Sequence, residues 1–184
     1  MSTTLTPELT GTYTIDPSHS RIGFVARHAM VTKVRGSFNE FTGSGYFDAE
    51  DPSKSKVELT IQANSIDTRN ADRDGHLKSA DFFDVERFPR ATFASTRIEA
   101  RGDGRFDVTG DLTLRDVTRP VTLAVELTEP IADPWGNVKR GVSATARIDR
   151  KDFGLNWNST LEAGGVLVGD QVDIAIEVEL VKQA

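Results

Sequence analysis

The sequence predicts an all-β fold, an antiparallel eight-stranded barrel with a short helical plug between strands. Apolar and polar side chains alternate over most of the 184 residues, which is typical of strands with one buried and one solvated face. Short turns separate these segments, as in antiparallel neighbours. Closure into a barrel is the simplest arrangement that leaves no long exposed strand edge. We expect a flexible, Thr-rich tail over residues 1–11 and a single barrel domain over residues 12–184.

In chain order, the alternation gives one short and eight longer strand candidates. They span residues 13–16, 21–28, 34–48, 56–66, 91–100, 104–115, 118–130, 137–150 and 171–181. A turn at Pro17 is expected between the first two. Within the third, Phe38 and Phe41 have opposite phase, which predicts a bulge near Asn39 and Glu40.

Small residues on the inferred inward faces predict a hollow barrel, because a packed sandwich would place large side chains there. These residues are Gly43, Gly45, Gly110, Ala144 and Ala146. Strands of about a dozen residues at ~3.4 Å each, tilted by ~40°, give a barrel roughly 30 Å tall, which suits an extended lipid. We expect the following residues to line the cavity and bind the ligand: Phe24, His28, Phe38, Phe41, Phe47, Leu59, Ile61, Phe82, Phe83, Phe106, Val108, Leu112, Leu123, Val125, Ala144, Ala146, Ile174 and Ile176.

Residues 73–90, which we call the plug, break the alternating pattern. Asn70 or Ser79 can cap a short helical turn, so we expect two broken helical turns that end before Pro89. The plug contains three closely spaced phenylalanines: Phe82, Phe83 and Phe88. Since these rings need apolar cover, the segment is predicted to close one open end of the barrel.

The plug also carries a family resemblance. Its block R-D-G-H-L-K-S-A-D-F-F-D, followed by F-P, resembles the YceI-like, polyisoprenoid-binding family of lipocalin-like β-barrels. Four further blocks match: H-S-R-I-G-F at 19–24, V-R-G-S-F at 34–38, G-D-L-T-L-R-D-V-T-R-P-V at 110–121 and V-G-D-Q-V at 168–172. The resemblance implies an isoprenoid ligand of the polyprenyl or isoprenoid quinone type, held by a carrier, storage or sequestering protein.

Composition narrows the function classes. The chain has no cysteine, which excludes disulfides, thiolate nucleophiles and Cys-based metal sites. The formal net charge of -6 argues against nucleic acid as a partner. The sequence contains neither a membrane-spanning apolar run nor a basic start followed by apolar residues, so we expect a cytoplasmic protein without a transmembrane segment. An extracytoplasmic form with its signal removed is the less favoured alternative.

We expect mainly structural roles for the three histidines. His76 lies among acidic residues without a second histidine at metal-binding spacing, so we expect it to tie the plug to the barrel. His19 lies in the predicted turn and has the same kind of role. His28 has inward parity and is the one candidate for contact with a ligand head group. No nucleophile elbow, phosphate-binding loop or dinucleotide fingerprint occurs, so no catalytic residue, metal ligand or cofactor is predicted.

Two further functions stay open. One is an enzyme acting on a lipid or quinone, with His28 and a carboxylate as its acid-base pair. The other is a stress-related interaction module with a filled barrel and an exposed apolar patch at Trp135 or Trp157. The irregular residues 151–165 close one barrel end or pack against a partner, which leaves a homodimer as an option.

Two expectations concern charge. Because His28 is the only polar residue on the inferred inward faces, a neutral ligand is favoured over a carboxylate. Arg69, Arg73 and the acidic residues around them are expected to form a solvated network of ion pairs.

Overall fold

Eleven strands form a single sheet in the computed structural model, which describes residues 7–184. The strands are β1 (Gly11–His28), β2 (Thr32–Phe38), β3 (Phe41–Phe47), β4 (Lys56–Gln62), β5 (Ile66–Asp67), β6 (Arg90–Gly102), β7 (Arg105–Leu114), β8 (Val117–Leu127), β9 (Ile131–Ala132), β10 (Val138–Asp149) and β11 (Val168–Lys182). One α-helix, α1, spans Ala71–Lys78, and short 3-10 turns span Pro7–Leu9, Pro52–Lys54, Ala63–Ser65 and Arg150–Phe153.

The sheet closes because β1 pairs with β11. Around the barrel the long strands run β11, β10, β8, β7, β6, β4, β3 and back to β1, with all these pairings antiparallel. The first half of β1 pairs with β3 and the second half with β2, so β2 and β3 together act as one long strand. The predicted fold, a closed antiparallel barrel of eight strands with one short helix, is confirmed.

The break between β2 and β3 is where the change of phase predicted it. Phe38 ends one strand and Phe41 begins the next. In between, the amide of Asn39 donates to the carbonyl of Ser65 at 3.1 Å, and Glu40 accepts from the amide of Gln62 at 2.9 Å. These hydrogen bonds give the backbone groups at the break their partners, while the inward-facing positions change from even to odd residue numbers.

The predicted turn at Pro17 is wrong. Strand β1 continues through it, with a bulge between Asp16 and Arg21 in its pairing with β11. Ser20 holds this bulge, because its hydroxyl donates to the carbonyl of Asp16 at 2.6 Å and accepts from the amide of Glu179 at 3.0 Å. A Pro is tolerated here because a bulge needs no ladder hydrogen bond from its amide.

The predicted N-terminal tail lies only partly within the described residues, since 1–6 are outside them. Pro7–Leu9 form a 3-10 turn, and Leu9 is buried. Tyr13 donates its hydroxyl to the carbonyl of Leu9 at 2.8 Å, and Gly11 already begins β1. Leu9 therefore takes part in the packing of the barrel end, and Gly11 already belongs to the sheet.

The plug contains one regular helix followed by irregular turns. Asn70 caps α1, since its side chain accepts from the amide of Arg73 at 3.0 Å. The helix ends at Lys78 and is capped by Ser79, whose hydroxyl donates to the carbonyl of His76 at 2.6 Å. The helix thus begins two residues before the predicted segment, and the second predicted helical turn is an irregular series of turns instead.

Candidate functional site

Two apolar cavities lie inside the barrel. Cavity 1 has a volume of about 170 Å³ and cavity 2 of about 120 Å³. An apolar cavity of ~150 Å³ lined by Leu, Ile and Phe stays dry and binds benzene, so each cavity holds a group of about that size. Five side chains line both cavities and form the wall between them: Ile22, Leu59, Phe93, Leu123 and Ile176.

Cavity 1 lies at the barrel end where β1 and β10 begin and β11 ends. Its wall opens at the start of β4, where Val57 has the inward parity of Leu59 and yet is 37 % exposed. Here the amide of Val57 donates to the side chain of Ser95 at 2.8 Å, because the regular pairing of β4 with β6 begins only at Glu58. The wall of cavity 1 therefore reaches the solvent at Val57.

Cavity 2 lies at the opposite end, beneath the plug. Phe83 of the plug lines it and meets Phe38 edge to face, with ring centroids 5.6 Å apart. Phe24 lies next to Phe38 at 5.7 Å and occupies the space that a side chain at Gly36 would need. The plug therefore covers this cavity with one aromatic ring, Phe83, which packs against the strand residue Phe38.

Most residues predicted to line a cavity do so, although their contact with a ligand stays a prediction. Three line both cavities: Leu59, Leu123 and Ile176. Five line cavity 1 alone: Phe47, Phe106, Val108, Val125 and Ala144. Six line cavity 2 alone: Phe24, Phe38, Ile61, Phe83, Leu112 and Ile174.

Four predicted lining residues lie elsewhere. Phe41 and Phe82 are buried in the apolar core without lining either cavity, and Phe82 packs against Trp157 instead. Ala146 is half-buried and packs against the core. His28 is exposed, because the pairing of β1 with β11 shifts register between Ala26 and His28 as the strand leaves the barrel. The expectation of an inward His28 is therefore wrong.

Phe93 was missed by the sequence reading. Its ring lies over Gly110, where an added Cβ would be only 2.5 Å from the ring. The simple alternation of β6 hides it, because Phe93 and Ile98 have opposite parity and both face inward. A register shift between Ser95 and Arg97 reconciles them. The change of phase in 91–100 was the available signal.

Arg140 was missed as well, although it shares the parity of Val142 and Ala144 on β10. It lines cavity 1 and is 2 % exposed. Its Nε and Nη2 each donate to the carbonyl of Thr128 at 3.0 Å, and its guanidinium carbon lies 5.4 Å from the centre of the Phe47 ring. Burial lowers the pKa of Arg140. Its Nη1 is buried and has no hydrogen-bond partner among residues 7–184.

His76 joins the plug to the segment after β10. Its Nε2 lies 2.8 Å from a carboxylate oxygen of Asp81, and its ring meets Trp157 edge to face at 4.5 Å. This geometry agrees with the structural role predicted for it. The expected ion-pair network of Arg69 and Arg73 is wrong within the described residues, because Arg73 instead donates to the hydroxyl and the carbonyl of Thr68, each at 2.7 Å.

Asp16, His19 and Glu179 form a group of possible metal ligands at the bulge of β1. His19 is 64 % exposed, and its Nδ1 lies 2.9 Å from Asp16 and 4.0 Å from Glu179. Lys139 already places its Nζ 2.8 Å from the Glu179 carboxylate. Hydrogen bonds from Ser18 and His19 lower the pKa of Asp16 to about 2, and the bond to Asp16 raises the pKa of His19. The group therefore acts as a surface ion-pair network.

Over residues 7–184, no helix is long and apolar enough to cross a membrane.

Comparisons with known proteins agree with the barrel. The family model described as "YceI-like domain" matches residues 13–180. Protein YceI of Salmonella newport is 42 % identical over 173 residues, which cover 93 % of this chain and 87 % of that protein. BcnA of Burkholderia cenocepacia has a similar structure, with a TM-score of 0.79, 24 % identity and coverage of 90 % of this chain and 98 % of that chain.

A third similar structure is described as a polyisoprenoid binding domain from Saccharophagus degradans implicated in plant cell wall breakdown. Its TM-score is 0.66 at 17 % identity, with coverage of 93 % of this chain and 98 % of that chain. At these identities the two solved structures show a shared fold.

Proposed function

The chain belongs to the family of YceI-like domains, and from this premise we propose that it is a lipid-binding protein rather than an enzyme. The ligand is an isoprenoid lipid of the polyprenyl or isoprenoid quinone type, and the protein acts as its carrier, store or sequestering partner. The observation that carries the proposal is the pair of apolar cavities inside a closed barrel. The description of the Saccharophagus domain as polyisoprenoid binding supports it by analogy of fold.

Burial of chain carbons supplies the affinity. Each methylene moved from water into an apolar cavity contributes about 0.8 kcal/mol, and both cavities are walled mainly by aliphatic and aromatic side chains. Each cavity alone holds a benzene-sized group. A long chain must therefore occupy both, which requires side chains of the shared wall to rotate. Phe93 is the largest of them and lies across the path.

The two alternative functions lose their main support. The enzyme alternative named His28 as the acid-base residue in the pocket, and His28 is exposed at the end of β1. The interaction-module alternative required a filled barrel, and the two cavities argue against that. Trp135, named in that alternative as part of an exposed apolar patch, is 83 % exposed. A homodimer stays a prediction.

Displacement of a neutral apolar dye tests the proposal. Diphenylhexatriene fluoresces when an apolar site takes it up, and prenols of increasing length would compete for that site. We expect affinity to rise with each isoprene unit until the chain fills both cavities, because each added methylene-sized group is buried. Prenols that fail to displace the dye, or affinities that do not depend on length, would contradict the proposal.

A further inference from the structure

The wall of cavity 1 includes a buried positively charged side chain, that of Arg140. Among the residues that line it, Lys56 and Glu58 are exposed charged side chains at its opening, whereas Arg140 is 2 % exposed. Within residues 7–184, no carboxylate oxygen lies within 4.0 Å of the Arg140 guanidinium nitrogens. The Glu129 carboxylate lies beyond this distance, and its charge together with the Tyr13 hydroxyl partly offsets the fall in the pKa of Arg140 that burial causes. A buried charge without a close counter-charge is costly, so this position calls for an explanation.

The chain's other buried arginine shows what a purely structural role looks like. Arg150 is 4 % exposed, and all three of its nitrogens donate to carbonyl oxygens of the chain. A carboxylate oxygen of Asp170 lies 3.6 Å from its Nη2. Arg150 is therefore both hydrogen-bonded and charge-paired, as buried arginines normally are.

Arg140 differs on both counts. Its Nε and Nη2 share the single carbonyl oxygen of Thr128, and its Nη1 has no partner within the described chain. The Phe47 ring, which lines cavity 1, lies over the guanidinium. Since the unused donor belongs to a residue of the cavity wall, a ligand in cavity 1 can supply the missing acceptor.

We propose that Arg140 is the head-group site of cavity 1 and that it selects an isoprenoid lipid with an acidic head, either a carboxylate or a phosphate. An ionised oxygen provides the acceptor for Nη1 and a close counter-charge, since the Glu129 carboxylate acts on Arg140 only from beyond 4.0 Å. This inference rests on the proposed function, because it names the head group of the same ligand. It replaces the expectation of a neutral ligand, whose premise was that the inward faces hold no dependable partner for an acidic head; the buried Arg140 overturns that premise.

The geometry also orients the ligand. Cavity 1 opens beside Val57, and cavity 2 lies at the other end beneath Phe83 of the plug. An acidic head at Arg140 lies in cavity 1, the cavity whose wall reaches the solvent at Val57. The isoprenoid chain then extends past Phe93 towards the plug.

The test compares lipids that share one chain and differ in the head. Geranylgeranoic acid, geranylgeranyl monophosphate and geranylgeraniol would each displace diphenylhexatriene from the wild-type protein at neutral pH. We expect at least one acidic lipid to bind about tenfold or more tightly than the alcohol, because hydrogen bonds to charged groups are the strong ones. The two acidic lipids distinguish a carboxylate site from a phosphate site.

Two variants assign the preference to Arg140. Arg140→Gln should lose the preference for an acidic head and keep the affinity for geranylgeraniol. Arg147→Gln is the matched control on the same strand, because Arg147 lies on the outer face with Asp173 at 2.7 Å, and its preference should equal that of the wild type. If Arg140→Gln does not fold, the wild-type preference for geranylgeranoic acid should still vanish when the pH falls below the pKa of that acid.

The outcomes separate the two proposals. If all three lipids bind equally well, or if the alcohol binds most tightly, Arg140 is not a head-group site and the lipid-binding proposal stands. An acidic preference that survives in Arg140→Gln has the same meaning. If none of the three lipids displaces the dye, both proposals fail.

Discussion

Gly110 shows how one missing side chain shapes the cavity wall. A Cβ at this position would lie 2.5 Å from the Phe93 ring and 2.6 Å from the backbone oxygen of Ala94. Gly110→Ala should therefore lower the free energy of unfolding by ~1–3 kcal/mol, the usual cost of overpacking. It should also weaken dye binding, because the displaced ring of Phe93 enters the cavities it borders. Urea unfolding and dye titration measure the two effects.

Gly75→Ala is the control for that substitution. Gly75 lies within α1, and no heavy atom outside its immediate neighbours lies within 4 Å of an added Cβ. Because Ala is favoured over Gly in a helix, this variant should gain about 0.5–1 kcal/mol. A similar loss of stability in both variants would contradict the role assigned to the Phe93 and Gly110 contact.

Ala144 tests whether the cavity is truly empty in the absence of ligand. It lines cavity 1 on β10, and Ala144→Phe should fill much of that space. Dye and lipid affinity should fall at least about tenfold while the free energy of unfolding changes by less than ~1 kcal/mol, because a filled core would instead lose ~1–3 kcal/mol. Calorimetry and dye titration on the same samples provide both values.

The control for Ala144→Phe lies on the neighbouring strand. Ala124 of β8 pairs with Thr145, points outward and is exposed. Ala124→Phe adds the same bulk to the outer face and should leave lipid affinity unchanged. A marked fall in stability for Ala144→Phe alone would show that the site is packed.

At the scale of a single element, the bulge of β1 predicts a pH dependence. The pKa of His19 is raised from its ordinary 6.5, chiefly by its hydrogen bond to Asp16, while Glu179 adds to the rise and Lys139 opposes it. This contribution is full below pH 6.5 and is lost as the pH rises through the folded pKa. The pKa of Asp16 falls from 3.8 to about 2, so its contribution is full above pH 3.8 and is lost towards pH 2.

The pair should therefore stabilise the fold most between about pH 4 and 6.5. The measurement is the difference in unfolding free energy between the wild type and His19→Ala across the pH range. That difference should shrink above and below this window. Its pH dependence should weaken when Asp16→Asn is the common background, since only the smaller contribution of Glu179 then raises the pKa of His19. A difference that stays constant with pH would rule out the ion pair.

The alternation of apolar and polar side chains along the strands was enough to predict the barrel, because one side of each strand faces the apolar interior and the other faces water. The alternation gave wrong predictions where pairing with a strand distant in sequence sets the register. Strand β1 continues past Pro17 because β11 pairs on both sides of the bulge, and His28 turns outward because the same pairing slips near its end. Neither register is visible in the local pattern.

The candidate site shows a different limit. The apolar lining followed from parity, whereas Arg140 was passed over because its charge suggested a solvated position despite its inward parity. The division into two cavities could not be predicted at all. It depends on where the Phe93 ring settles, over Gly110 of the adjacent strand, which is a matter of packing between strands.

For the whole molecule, barrel closure and the cavities belong together. Pairing of β1 with β11 removes the free sheet edges and encloses the apolar space that a lipid would occupy. The homodimer and the cytoplasmic location stay predictions, which sedimentation equilibrium and cell fractionation would test.

Native mass spectrometry of protein purified from cells without added lipid tests the central claim most directly, because it reports the mass and the number of bound ligands together. The account predicts one ligand per chain, released as masses that differ by whole isoprene units. Loss of the bound species in Ala144→Phe would place the ligand in cavity 1. Wild-type protein that is free of any bound lipid, and that takes up none when prenols are added, would contradict the account.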